Sequence, residues 1–538
     1  GDNNRGGNQD LVNVINTITN AGGIAGFNYA NSVSQLSNLA SRFGGSKGVI
    51  IASETASATN SRGQYRNQNN NSSSDSAYHL TSYDTSKVNW GLTAHDSIYN
   101  TYNLDNVAGE FVWTGFDYIG EPTPWNGTTS GDSGRGAIPN SSYFGIVETT
   151  GFPKDTYYLY RAQWNKNDTT VHLVTAWDSD NQMLSGGKTP VWVYSNAAKV
   201  ELYLNDDLIG TTVRTPVTSA AGHTYYTYAA TANDTSVCAA AANSGADALY
   251  SIFNVTYNAG TLKAVAYDEN GAELDTYSIS TPGAVTKLVA DADKTEIDAN
   301  GYDLVYVEVD LTDADGNLKT TATNNITFSV DGPAVIAGVD NGDQATVRKY
   351  QNSYVLTDRQ NANINAYAGK ALVILRATDK GGEIKLNIAS NGLEGQTITI
   401  TAQGGSEEGN PGLVSYEMVR DYTVMAGTAP ELETAITGYL ADGSTVEGTI
   451  AWNEISEELY NTAGDHTIIG VASFDGYEDV RVSARLHVIP NVIALRNVAT
   501  ATMEGIAPVL PDMVSGVLAN GELSGEFQVE WNEVAASE

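Results

Sequence analysis

The spacing of hydrophobic positions changes once along the chain. Over residues 1–160, helical stripes alternate with short continuous apolar runs. From Asn8 to Ala21, Leu11, Val14, Ile15 and Ile18 recur at helical steps and stop at Gly22-Gly23, which predicts a helix. The run Gly23-Ile24-Ala25-Gly26-Phe27-Asn28-Tyr29 suits a buried strand, and a second helix is expected from Ser32 to Arg42, ended by Gly44-Gly45. Gly48-Val49-Ile50-Ile51-Ala52-Ser53 is a β-branched strand, followed by a polar Asn/Ser loop over Asn67 to Ser76 that reads as solvated surface. A helix around His95 to Tyr102 leads into a last strand, Val107 to Trp113. Apolar strands separated by helices predict a parallel sheet covered on both faces. Three such units are too few for a whole (β/α)8 barrel of roughly 250 residues.

From about Thr169 the period shortens to that of strands. Turn signals punctuate it at Asn205-Asp206-Asp207, Glu269-Asn270-Gly271, Asp313 to Gly316 and Asp442-Gly443. This pattern predicts antiparallel β-sandwiches in series, with boundaries near Thr281-Pro282-Gly283, from Gly404 to Pro411, and at Pro490. An internal repeat supports the division. Pro430, Leu432, Gly438, Leu440 and Gly443 recur as Pro508, Leu510, Gly516, Leu518 and Gly521, and Trp452-Asn453-Glu454 recurs as Trp531-Asn532-Glu533. The recurring Trp points to core packing. The fold expected is therefore α/β plus all-β: the C-terminal part of a (β/α)8 TIM barrel over 1–165, then β-sandwiches over 166–283 and 284–404. An Ig-like module over 412–490 and a second, cut-off copy over 491–538 complete the series. Both ends read as cuts within a longer protein.

Charge narrows the partners. Lys and Arg number 28 against 63 Asp and Glu, a formal net charge of −35, and residues 161–538 carry −30 of it. Such a surface repels the phosphates of nucleic acid and anionic lipid and suits neutral substrates. No apolar run approaches the ~18 residues that a membrane helix needs. Cys238 is the single cysteine, and the six histidines are scattered without zinc spacing, so no zinc site is read; no cofactor is expected, and no metal within the chain.

The chemistry centres on Glu54. It sits in Ile51-Ala52-Ser53-Glu54-Thr55-Ala56-Ser57, at the C-terminal end of an apolar strand, where parallel α/β barrels place catalytic groups. Small neighbours leave room for a substrate. Position alone favours an ordinary N-cap or solvated glutamate at a strand end.

Ser53-Glu54-Thr55-Ala56-Ser57, followed by Asn60-Ser61-Arg62-Gly63, resembles the nucleophile segment of glycoside hydrolase family 2 β-galactosidases, particularly the multidomain Gram-positive surface type. Gly109 to Pro122 (GEFVWTGFDYIGEP) resembles the family's last barrel strand, and Gly26-Phe27-Asn28-Tyr29 the strand end before the nucleophile. The resemblance implies Glu54 as nucleophile, Tyr29 as the residue that orients it, and Trp113 lining the galactose subsite. Asn28 and Asp2 are candidates for holding sugar hydroxyls. It also implies a retaining mechanism with two carboxyls roughly 5–5.5 Å apart. A Tyr hydroxyl would aim the nucleophile, and an aromatic plate would pack on the apolar face of the sugar. Without the resemblance, Trp113 and Tyr29 read equally well as core residues. The family's acid/base is a Glu in an Asn-Glu pair on an earlier strand. The Asn-Glu pairs here, Asn453-Glu454 and Asn532-Glu533, fall in the Ig-like repeats, so the general acid/base is expected to be absent from the chain. Glu110, Asp117 and Glu121 read as structural or rim carboxylates.

The expected function is removal of terminal non-reducing β-D-galactose from β-galactosides by double displacement, with this chain alone inactive. The alternatives are a β-glucuronidase or β-mannosidase of the same family, or a non-catalytic spacer or glycan-binding array. A secreted or cell-wall-associated bacterial protein is expected, with a carbohydrate as partner and neither nucleic acid nor membrane insertion.

Overall fold

The computed structural model describes residues 9–67, 77–125, 139–219, 222, 224–230, 237–238, 248–346, 359–404, 412–440, 443–503, 506–518 and 523–532. Asp2, most of the Asn/Ser-rich loop and Glu533 lie outside them.

The N-terminal part runs α1 (Gln9–Asn20), β1 (Ala25–Asn28), α2 (Val33–Phe43), β2 (Ile50–Ala56), α3 (Ala94–Tyr102), β3 (Val107–Trp113) and α4 (Asp155–Trp164). The strands form one parallel sheet in the order β1-β2-β3. Helix α2 starts where the Ser32 hydroxyl accepts the Gln35 N–H and ends at Gly44. Its Leu36, Leu39 and Phe43 pack on Phe27, Ile50, Ala52 and Val107 of the sheet. The expected elements are all present, and β3 has the expected bounds. Helix α1 differs in its face. Val12 and Ile15 reach this core, whereas Val14 and Ile18 are exposed. On β3, Phe111 and Trp113 are exposed. Among the described residues the sheet has three strands.

The β-rich remainder follows the pattern of its sequence. One unit pairs a four-stranded sheet built on Lys188–Ser195 with a five-stranded sheet built on Lys199–Leu204 and Thr261–Tyr267. Val191, Val193, Val200, Leu202 and Phe253 fill the space between them. The next pairs a four-stranded with a five-stranded sheet over 287–403. In Leu304–Thr312 the residues Val305, Val307, Val309 and Leu311 are buried, and Tyr306, Glu308 and Asp310 alternate with them outward. A six-stranded sheet spans 413–489, and a three-stranded sheet spans 492–528. The repeat is visible here. The Trp452 indole donates to the Glu433 carbonyl at 2.8 Å, and Trp531 donates to the Pro511 carbonyl, at the same repeat position, at 2.7 Å. Trp452 is half-buried between two apolar clusters, while Trp531 is 42% exposed.

Buried polar contacts join these units. Asp155, at the start of α4, takes the Tyr65 hydroxyl at 3.0 Å and His172 Nε2 at 2.7 Å. The Tyr83 hydroxyl donates to the Pro190 carbonyl at 3.0 Å. Arg62 reaches into the unit over 287–403, donating to the carbonyls of Asn341 and Tyr367 at 3.1 and 3.2 Å.

Candidate active site

Strands β1 and β2 end side by side, and a bulge sets what faces what. Phe27 pairs with Ala52, but Asn28 pairs with Glu54, so Ser53 is the extra residue. Bulges of this kind re-aim a side chain next to a site. Here Asn28 and Glu54 meet, with Asn28 Nδ2 donating to Glu54 Oε2 at 2.5 Å. Ser53 Oγ donates to Asn28 Oδ1 at 2.8 Å, which fixes the amide in that orientation. Gly26 permits the approach, because a Cβ there would lie 2.8 Å from the Ser53 side chain.

Tyr29 follows at once. Its N–H continues the ladder to the Glu54 carbonyl at 2.8 Å, and its φ of 51° turns the chain out of the strand. Its hydroxyl donates to Glu54 Oε1 at 3.1 Å and meets Ser57 Oγ at 2.7 Å. Burial, followed by the adjacent Glu54 charge, pushes the Tyr29 phenol well above its ordinary value. The phenol therefore stays protonated and remains a donor. Ala56 and Ser57, just past Glu54, also have positive φ, at 57° and 54°. Non-glycine residues in that region carry strain and cluster at functional sites. Glu54, Asn28 and Tyr29 are all half-buried. The result is a carboxylate at the mouth of a parallel sheet, gripped through both oxygens by neutral donors.

Trp113 ends β3, paired with Ala56 in register and 36% exposed. Its indole donates to the Tyr118 hydroxyl at 3.1 Å, and that hydroxyl donates to Glu121 Oε2. The Tyr118 phenol is raised, first by burial and then by this bond, with Tyr29 near enough to add to it. The structure thus brings Glu54, Asn28, Tyr29 and Trp113 to the same end of one sheet. Asp2 lies outside the described residues.

The other carboxylates near β3 are placed differently. Glu110 is half-buried and accepts from Ser97 at 2.6 Å and Thr55 at 2.9 Å, and desolvation raises it. Asp117 is buried in an ion pair with Lys154 at 2.7 Å. Glu121 is bonded by Tyr118 and Thr123 at the rim. Each has its partners within the fold, as the structural or rim reading expects. Among the described residues no cluster of three His, Cys, Asp or Glu could hold a metal. A cavity of about 640 Å³ opens elsewhere, between β3, the end of α4 and strand Thr224–Ala230. It includes Glu110 but none of the four site residues, so it does not mark the chemistry.

Sequence reading missed Trp90 and Tyr118. Trp90 is 48% exposed and near enough to the Tyr29 hydroxyl to pull its raised pKa back down in part, while its carbonyl takes the Asn31 amide at 2.6 Å. It lies in a loop with no periodicity, which left no signal. Tyr118 stands five residues past Trp113, and only that closeness could have suggested it.

Residues 288–399 match the glycoside hydrolase family 2 C-terminal domain 5, and 186–275 match a domain of unknown function, DUF4982. A β-galactosidase of Bacteroides ovatus is 30% identical over 391 residues, 71% of this chain and 39% of that protein. A putative β-glucuronidase of Formosa agariphila is 28% identical over 272 residues, 50% of this chain and 22% of that protein. The chain thus spans less than half the length of the curated relatives it matches. The crystal structure of a β-glycosidase from Bacteroides vulgatus shares the fold, with a TM-score of 0.54 and 21% identity over 73% of this chain and 48% of that one. The matched domain and these relatives support membership of the chain in glycoside hydrolase family 2.

Proposed function

We propose that the protein is a retaining β-galactosidase in which Glu54 is the nucleophile. The observation that carries the reading is the Glu54 carboxylate held at a strand end by Asn28 and Tyr29. One oxygen attacks the anomeric carbon as the bond to the leaving oxygen breaks, giving a glycosyl ester. Water then attacks that carbon and restores the free carboxylate with overall retention. The Asn28 and Tyr29 donors aim the carboxylate before attack, and Trp113 offers a face for the apolar side of the sugar. The proton for the leaving oxygen, and the base for the water step, belong to a second carboxyl outside these residues. Glu110, Asp117 and Glu121 are each committed to structural partners.

In this reading residues 1–165 are the C-terminal part of a (β/α)8 barrel, followed by sandwiches over 166–283 and 284–404 and Ig-like modules over 412–490 and 491–538. The serial sandwiches, the acidic surface and a single cysteine support a secreted or cell-wall-associated protein.

A β-glucuronidase is the second reading, since relatives of both names match. A glucuronide needs a cation for its carboxylate. Arg62 and Lys154 are both buried in ion pairs with Glu148 and Asp117, so neither is available to a glucuronide carboxylate. Nitrophenyl β-galactoside, β-glucuronide and β-mannoside assayed with the whole protein decide the sugar. The galactoside is expected to give the highest kcat/KM. Preference for either other sugar transfers the mechanism to it, and inertness toward all three leaves the array reading in its place.

A further inference from the structure

Beyond β2 the chain passes Ala56 and Ser57 and reaches Asn60. Beyond β3 it passes Trp113 and reaches Asp117. Neither segment is periodic, and a side chain from a distant unit joins them. Gln344, 2% exposed, belongs to the unit matched by domain 5. Its Nε2 donates to the Asn60 carbonyl and to Asp117 Oδ2, each at 2.8 Å. Lys154 Nζ bridges the same two acceptors, at 2.9 and 2.7 Å. Asp117 Oδ1 also takes the Gly145 N–H at 2.8 Å, beside Phe144, whose carbonyl takes the Thr114 N–H at 3.2 Å. The residue after Trp113 is thereby tied to the same knot.

The loop carrying Gln344 is itself held. Asp343 meets His79 Nε2 at 2.8 Å and accepts the Ala345 N–H at 2.9 Å. Gly342 has φ 74°, and a Cβ there would lie 2.0 Å from Glu148 Oε2. The loop therefore lies directly against the part of the chain that carries the site, at a distance only glycine permits.

We propose that Gln344 is a positioning residue for the glycosidase site: a side chain of the C-terminal domain 5 unit sets the segment after Glu54 and the segment after Trp113 relative to each other. This rests on the reading of Glu54 as nucleophile. Small misplacements of catalytic groups cost up to ~10²-fold in rate. Loss of Gln344 leaves Lys154 bridging the two acceptors, so the effect falls on alignment more than on folding.

The test uses the whole protein with Gln344→Met, Gln344→Glu, Glu54→Gln and a control, Thr149→Ala. Thr149 donates to Asp340 at 2.7 Å in the same interface but touches neither segment. Gln344→Met is expected to lower kcat about 10-fold with KM within about twofold, the pattern of a loss felt in the transition state. Thr149→Ala is expected to keep both constants. In Gln344→Glu the ionised carboxylate would face Asp117, whereas its protonated form can still donate. Its kcat relative to the parent should therefore fall as pH rises and recover toward acid, which lost stability alone would not produce. The proposal is overturned if the folded Gln344 variants keep the parent's kcat and pH profile. It is equally overturned if Gln344→Met loses activity only in proportion to its unfolded fraction while Gln344→Glu keeps that profile. If Gln344→Met does not fold, the Gln344→Glu profile decides. An inactive Glu54→Gln beside normal Gln344 variants overturns this inference alone, and an active Glu54→Gln overturns the nucleophile reading.

Discussion

Tyr29 joins Glu54 to Ser57 through a single hydroxyl, and its raised pKa keeps the proton that it donates. Tyr29→Phe leaves the ring and frees one oxygen of Glu54. A fall in kcat of about 10²-fold is expected, with a thermal midpoint close to the parent's. Steady-state kinetics beside calorimetry check this, and an unchanged kcat would remove Tyr29 from the site. At this scale the sequence was legible only through the resemblance of its short motifs, since position alone left Glu54, Tyr29 and Trp113 open to structural readings. Glu54, Asn28 and Tyr29 lie in short local motifs at strand ends, and the structure joins them by direct bonds. Trp113 ends the neighbouring strand and bonds Tyr118 instead. Trp90 approaches Tyr29 from a loop 61 residues away in sequence. Such a contact is made by tertiary packing, which no local spacing records.

The bulge at Ser53 is what brings Asn28 and Glu54 together at the ends of two parallel strands. It depends on Gly26, whose hydrogen faces the Ser53 side chain. Gly26→Ala would drive a methyl into that contact and disturb the Ser53 to Asn28 bond. The expected outcome is destabilisation of about 1–3 kcal/mol, together with a kcat loss exceeding that of any equally destabilised variant remote from the sheet. Thermal unfolding and kinetics on the same preparations measure both. The strands and helices could be read from their periods because apolar spacing dictates them. The bulge and the left-handed Ala56 and Ser57 could not, since no Gly, Asn or Asp marks those positions. The face of α1 was misjudged, with Val12 inward and Val14 outward, because four apolar residues fit more than one helical stripe.

Across the molecule, a buried network joins the site-bearing sheet to the sandwiches. Arg62 Nε donates to Glu148 Oε2 at 2.9 Å, and Glu148 has no exposure. Burial pushes the Glu148 carboxyl up to about 7, against the pull of Arg62. The folded state thus holds that proton more tightly than the unfolded chain, whose glutamates titrate near about 4.3. Glu148 therefore costs least stability below the unfolded value, and its cost grows as pH rises from there through about 7. The thermal midpoint of the parent minus that of Glu148→Gln should fall between pH 4.5 and pH 7.5 and level off above. A flat difference would contradict this account of the interface. The serial sandwiches and the repeat were readable because each is built from local alternation. The interface was not, because Arg62, His79, Glu148, Gln344 and Tyr367 meet only after the units dock.

The most direct test of the central claim is to trap the glycosyl ester. A 2-deoxy-2-fluoro-β-galactoside with an activated leaving group slows breakdown of the covalent intermediate, and mass spectrometry of the digested whole protein locates the sugar. The account predicts one added fluorogalactosyl group on the peptide containing Glu54, absent from Glu54→Gln. A label on another carboxylate, or turnover with inversion and no label, would contradict it.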